Sequence, residues 1–148
     1  MKHLLFISFL FFALIVFSFT AYTQINLSDS LKIESLKKVL QTQKEDTNKV
    51  KTYAGLLWEY QWNAPDSALA YSFAALELAR KLNFVNGEIQ ILHSTGEALA
   101  SRGNFSQALA MQLKTLELAK KTDNPNEILS TYIWIANVYF YSKDYLTL

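Results

Sequence analysis

Cysteine is absent from this chain. Disulfide frameworks, thiolate zinc sites, cysteine nucleophiles and a lipid-modified N-terminal cysteine are therefore excluded, and packing alone must hold the fold. Proline occurs twice and glycine four times, too few for a sheet protein with many tight turns; the scarcity favours long helices with brief connections. Net charge is close to nil, at +1, which provides no field suited to a phosphate backbone and makes nucleic acid an unexpected partner. There are two histidines, His3 and His93. A metal wants several converging ligands, so no metal site is expected. Neither a glycine-rich phosphate loop, nor a nucleophile elbow, nor a histidine in a kinase-like context occurs, so these residues are expected to carry no catalysis and no cofactor.

The first segment is an address. A short basic start, Met1-Lys2-His3, precedes an apolar run from Leu4 to Phe19, interrupted only by two serines, and then Thr20 to Gln24. That is the layout of a secretory signal. Ala21 and Thr23 are small enough for the two cleavage subsites, which predicts cutting between Thr23 and Gln24 and a signal over 1–23. An uncleaved anchor is the alternative, because Leu4 to Tyr22 approaches the roughly 20 apolar residues that span a bilayer.

The body of the chain repeats itself. Ser67 to Lys81 overlays Gln107 to Lys121, sharing Ala-Leu-Ala, then Leu-Glu-Leu-Ala, then a lysine. The same shift of forty residues carries Gly96 to Ala136, Leu99 to Tyr139 and Asn104-Phe105 to Asp144-Tyr145. A fixed period in this range marks stacked supersecondary units, since one helix pair cannot bury its apolar face alone. Each unit reads as two helices. Leu92, Thr95, Gly96 and Leu99 form a stripe at helical spacing on the first helix of one unit, and Tyr132, Ile135, Ala136 and Tyr139 do so in the next. On the second helix Ala108, Leu109, Leu113 and Leu116 form the expected apolar side, with Gln107, Gln112, Lys114 and Glu117 toward water. Helix starts are signalled by Asp46 before Thr47, Asp66 after Pro65, and Asn124 before Pro125. Upstream, Ser28 or Ser30 is a candidate cap for a helix through about Thr42, with Leu31, Leu36, Val39 and Leu40 apolar. The expected organisation is a capping helix within 24–45 and repeats over 46–148, divided at about 46–85, 86–124 and an incomplete 125–148.

The run Leu92-x-x-x-Gly96-x-x-Leu99, then Gly103-Asn104-Phe105, then Ala108-Leu109 resembles the tetratricopeptide (TPR) pattern, with Tyr132, Ala136, Tyr139, Asp144 and Tyr145 matching in the third unit and Leu56, Leu57, Tyr60, Ala68 and Leu69 in the first. The resemblance implies an all-α superhelix of antiparallel helix pairs, truncated in the third repeat. Gly96 and Ala136 would then sit where two helices approach most closely, with Tyr60, Leu99 and Tyr139 filling the gap. The sequence departs from the pattern at Leu57, which is large, and at Ser72 and Gln112, where an aromatic is usual. A period of forty also exceeds the usual 34 or so. In its elongated units and exported start the chain resembles sensor proteins of Bacteroidetes-type bacteria, in which such repeats precede a membrane helix and an output domain.

In tetratricopeptide folds the first helices of successive pairs line a concave groove. Carried over residue by residue, this selects Lys51, Trp58, Gln61 and Trp62 from the first unit, Gln90, His93 and Glu97 from the second, and Trp134, Asn137, Phe140 and Tyr141 from the third. Such an aromatic lining suits a peptide or apolar ligand; alternatively, Trp134 and Phe140 cover a further unit. Glu97 lies one turn from His93, within reach of a hydrogen bond. The expected function is a protein- or peptide-binding scaffold outside the cytoplasm, at the periplasmic or extracytoplasmic face. It would serve as the sensory or assembly region of a larger signalling protein. Two alternatives stand beside it: the input fragment of a membrane sensor histidine kinase or transcriptional regulator, and a purely structural envelope scaffold. The membrane enters only through the signal segment or a downstream helix, and the uncovered last stripe is open to self-association.

Overall fold

A computed structural model describes residues 29–145. The signal over 1–23, its cleavage site and the candidate cap Ser28 lie outside the described residues. The chain divides into two units, Met1–Ser35 and Leu36–Leu148. Helix α1 runs over 29–42, so Ser30 is already helical instead of capping. Five further helices come after it: α2 (Thr47–Asn63), α3 (Pro65–Lys81), α4 (Val85–Ser101), α5 (Phe105–Lys121) and α6 (Pro125–Tyr145). No strand occurs among the described residues, and no helix there is long and apolar enough to cross a membrane.

The helix starts arise from local chemistry. Asp46 caps α2, its carboxylate accepting from the backbone N–H of Asn48 and Lys49. Asn124 does the same for α6 through Asn126 and Glu127, with Pro125 at the first helical position. Asp66 falls inside the first turn of α3, where Pro65 leads and Ala64 occupies the cap; its carboxylate meets the positive end of the helix and pairs with Arg102. Stops are equally local. Asn83 (φ 52°), Gly103 (φ 75°) and Asp123 (φ 51°) take left-handed backbone directly after α3, α4 and α5, and the next residue donates back, as Phe84 N–H does to Ala79 O and Asn104 N–H to Leu99 O.

From α2 onward each helix packs on the next, and the unit beyond residue 35 is built around α4. That helix touches α2, α3, α5 and α6, whereas α3 and α5 do not reach each other. The first helices of successive pairs therefore crowd together on one side and the second helices splay on the other, the layout of a curved solenoid of antiparallel pairs. The repeat seen in sequence is a repeat in space: α3 and α5 begin forty residues apart, as do α4 and α6, and Ala68 and Ala108 are both fully buried at the fourth position of their helices. Ile89, Ile91 and Leu92 of α4, with Leu56 and Leu57 of α2, are the largest fully buried apolar side chains; each contributes about 1.5–3 kcal/mol. Leu57 is accommodated in this core despite its size. Leu36 faces Gly55, its methyls 3.9 Å from where a Cβ would stand, and Leu40 is buried, while Leu31 and Val39 are exposed.

On α5, Ala108 and Leu116 are buried and Gln107, Lys114 and Glu117 exposed, as expected, but the inward face differs at two positions. Gln112 is fully buried and Leu113 exposed, as are Ser72 and Phe73 one repeat earlier. The buried positions of α5 include Ala108, Gln112, Thr115 and Ala119, matching Ala68, Ser72, Ala75 and Ala79 of α3. Leu78 and Leu116 share these buried faces, and the small residues between them let adjacent helices come close. Gly96 serves the same end: a Cβ there would stand 2.6 Å from Nε2 of Gln112. Asp144-Tyr145, the counterparts of Asn104-Phe105, do not begin a new helix. Lys143 stands forty residues after Gly103, without glycine's access to positive φ, and α6 continues through Tyr145. In the third unit Tyr132, Ala136 and Tyr139 are exposed and Ile135 is half-buried, so Tyr139 fills no gap among the described helices.

Candidate ligand-binding groove

The helical repeat sets α2, α4 and α6 side by side, and two hollows open along them. The first, of about 310 Å³, is lined by Lys51, Trp58 and Gln61 of α2, by Gln90, His93 and Glu97 of α4, and by Trp134 of α6. The second, of about 590 Å³, is lined by Trp62, Glu97, Trp134, Asn137 and Tyr141. Glu97 and Trp134 belong to both walls, so the hollows adjoin. Ten of the eleven residues selected from sequence come together here. Phe140 does not: it lines neither hollow and lies exposed, edge-on to Tyr141 at 5.8 Å.

Sequence reasoning missed the residues that make room. Ala54, Gly55 and Ser94 floor the first hollow, and Ala100, Ser101 and Phe105 wall the second. A signal existed for two of them, because Ala54 and Ser94 lie one helical turn from Trp58 and Gln90 and so share their faces. Phe105 enters from α5, which no first-helix rule selects.

The aromatic lining comes in two pairs. Trp58 and Trp62 are neighbours on α2, with ring centroids 6.0 Å apart, and Trp134 lies 6.0 Å from the ring of His93. Lys51 holds its ammonium 6.0 Å above the Phe84 ring at one end, a favourable cation–π placement. Trp58 and Trp62 are more than half exposed, so large apolar faces meet solvent inside a concavity.

The polar groups beneath are nearly buried. His93 and Glu97 do not bond to each other, since each turns to a different helix. Nδ1 of His93 lies 2.8 Å from Oε1 of Gln112 on α5, and its Nε2 lies 3.5 Å from the Thr131 hydroxyl on α6. Burial holds the imidazole below its ordinary pKa, partly offset by the Gln112 bond. Glu97, 5% exposed, accepts from the indole N–H of Trp62 across 3.4 Å on the opposite side. Desolvation pushes its carboxyl up to about 7, the Trp62 bond opposing this. Gln61 is 1% exposed, yet neither its carbonyl oxygen nor its amide nitrogen has a hydrogen-bond partner. Two unmet polar atoms at that depth are costly, on the order of 1–3 kcal/mol each.

Among the described residues no three His, Cys, Asp or Glu side chains gather as a metal would need. The arrangement offers contact area and hydrogen bonds. No curated protein matches the chain at a significant level. One family does, and its match takes in every described helix: the chain belongs to the SusR N-terminal TPR domain family, whose model covers residues 22–147.

Proposed function

We propose that this chain is a protein- or peptide-binding TPR scaffold that works outside the cytoplasm as the sensory or assembly region of a larger signalling protein. Helical repeat folds of this family are typically non-catalytic, and they act by presenting an extended surface to a partner. The observation that carries the reading is the strip of Trp58, Trp62 and Trp134, open to solvent above nearly buried Gln61 and Glu97 in two adjoining hollows. Aromatic anchors supply binding energy at small entropic cost, and the polar floor fixes register. Export is supported by the basic start and the apolar run from Leu4 to Phe19. A bound segment spanning α2, α4 and α6 would favour one curvature of the solenoid, a shift in population that a downstream element reads. The exposed Tyr132, Ile133, Tyr139 and Phe140 of α6 also support self-association through that helix.

Selection from a library of random peptides displayed on phage tests the binding role. Enriched peptides should lose affinity at least about tenfold when Trp58 and Trp134 are both changed to alanine. Peptides whose binding ignores that change would remove the groove from the proposal. N-terminal sequencing of the protein recovered after expression tests the export role: a terminus at Gln24 supports it, and one at Met1 in a soluble cytoplasmic fraction removes it.

A further inference from the structure

The floor of the groove is chemically asymmetric. Glu97 is almost fully buried, and its one described partner is a neutral indole N–H at 3.4 Å; no cation among the described residues pairs with it. Around it stand the π faces of Trp62 and Trp134, with Tyr141 and Phe105 completing the second hollow. A buried carboxylate among aromatic rings is an arrangement that attracts an organic cation, because ring quadrupole and carboxylate act in the same sense. Gln61 shares the first hollow with Glu97, and it holds an idle donor and an idle acceptor on one planar amide. The complement of that pair is another amide, such as a peptide group.

Resting on the peptide-binding reading above, we propose that the groove selects a segment bearing a basic side chain, whose cationic head seats against Glu97 between Trp62 and Trp134 while a neighbouring backbone amide pairs with Gln61. The surrounding charges fit this selection. Lys51, on α2, is the cation lining either hollow and is drawn aside over Phe84. His93, on α4, is held toward its neutral form by burial, against the opposing Gln112 bond. From α6 the titratable group is the Tyr141 phenol, and α5 contributes Phe105, which does not titrate. An entering cation meets one site able to carry negative charge. It also draws the proton off Glu97, whose carboxyl is poised near neutrality, so binding should strengthen as pH rises.

All three tryptophans of the chain line the two hollows, so intrinsic fluorescence of the full chain reports on this site alone. N-acetyl-lysine N-methylamide is titrated against N-acetyl-norleucine N-methylamide, which is neutral, and against n-butylammonium, which has the charge without the amides. The expected result is that the lysine compound binds about tenfold more tightly than either control. Glu97→Gln should abolish the preference over norleucine, and Gln61→Leu the preference over butylammonium. The affinity for the lysine compound should rise between pH 6 and pH 8 in the native chain and stay flat in Glu97→Gln, a profile that a merely structural role for Glu97 does not produce. Equal binding of lysine and norleucine compounds overturns the charge selection and leaves the peptide groove standing. Equal binding of butylammonium overturns the role of Gln61. No response to any of the three, with melting curves showing the chain folded, overturns the inference, and the library selection then judges the groove separately.

Discussion

Nδ1 of His93 lies 2.8 Å from Oε1 of Gln112, joining α4 to α5 across the middle of the solenoid. A carboxamide oxygen only accepts, so the neutral imidazole must carry its proton on Nδ1 and leave Nε2 facing the Thr131 hydroxyl on α6. One hydrogen bond thus sets the tautomer of a ring placed where three helices meet. Replacing Gln112 by leucine leaves a nearly buried N–H without an acceptor and should cost about 1–3 kcal/mol, read as a lowered urea midpoint. The His93 pKa, followed by NMR titration, should fall further, because the Gln112 bond is what raises it against burial.

Gly96 makes that bond sterically possible, since a Cβ there would stand 2.6 Å from Nε2 of Gln112. Gly96→Ala should therefore destabilise the native chain even though alanine is the better helix former by about 1 kcal/mol. The obstructing atom is the end of a side chain that could swing aside were it not tied to His93. In a Gln112→Ala background the obstruction is gone, and Gly96→Ala should become neutral or stabilising. Denaturant midpoints for the four proteins close the cycle; additive effects would show that the two positions do not communicate.

Glu97 gives stability a pH dependence opposite to the usual carboxylate. Its folded pKa of about 7 lies above the ordinary 4.5, so the folded state holds a proton that the unfolded chain has released. The stabilisation is whole below about pH 4.5, is lost as pH rises toward 7, and stays lost above that. The full shift corresponds to about 3 kcal/mol, but the carboxyl borders two open hollows where solvent screens it, so roughly 1–2 kcal/mol is expected. Glu97→Gln should be more stable than the native chain by that amount at pH 8 and about equal to it near pH 4.5. His93 contributes in the opposite sense, since its folded pKa is depressed: its share is present above about 6.5 and lost as pH falls further. Comparing variant with native chain at each pH cancels that share.

The architecture was legible because it rests on periodicity. Forty-residue self-similarity and the caps at Asp46 and Asn124 located the helices, and family geometry turned first-helix positions into a list that the two hollows gather almost whole. What sequence misread was one edge of the buried face of α5. Leu113 looked like core and Gln112 like surface, yet Gln112 is buried beside Ala108, Thr115, Leu116 and Ala119, where its carboxamide meets His93 of α4. Partner choice was illegible for a related reason. His93 and Glu97 sit at the spacing of a bonded pair, but α2 and α5 offered Trp62 and Gln112 instead, and contacts between helices are not written in the spacing along one of them. The empty amide of Gln61 had no signal at all, since an unmet hydrogen bond is a property of its surroundings.

The three left-handed residues that end α3, α4 and α5 separate backbone strain from packing. Gly103 adopts φ 75°, and a Cβ placed there would meet nothing within 4 Å, so any cost of Gly103→Ala arises from the backbone alone. That cost is about 1 kcal/mol, the penalty of left-handed conformation for a residue with a Cβ. Asn83 and Asp123 already bear it in part at φ 52° and 51°, eased because short polar side chains can bond to nearby backbone. Asn83→Gly should consequently be close to neutral, relief of strain offsetting the added freedom of the unfolded chain, whereas Asn83→Val should cost more than Gly103→Ala because branching at Cβ tolerates positive φ least. Urea unfolding of the three variants gives the ranking. A Gly103→Ala as stable as the native chain would mean that the linker after α4 can leave the left-handed region without losing the Asn104 N–H bond to Leu99 O that closes the helix.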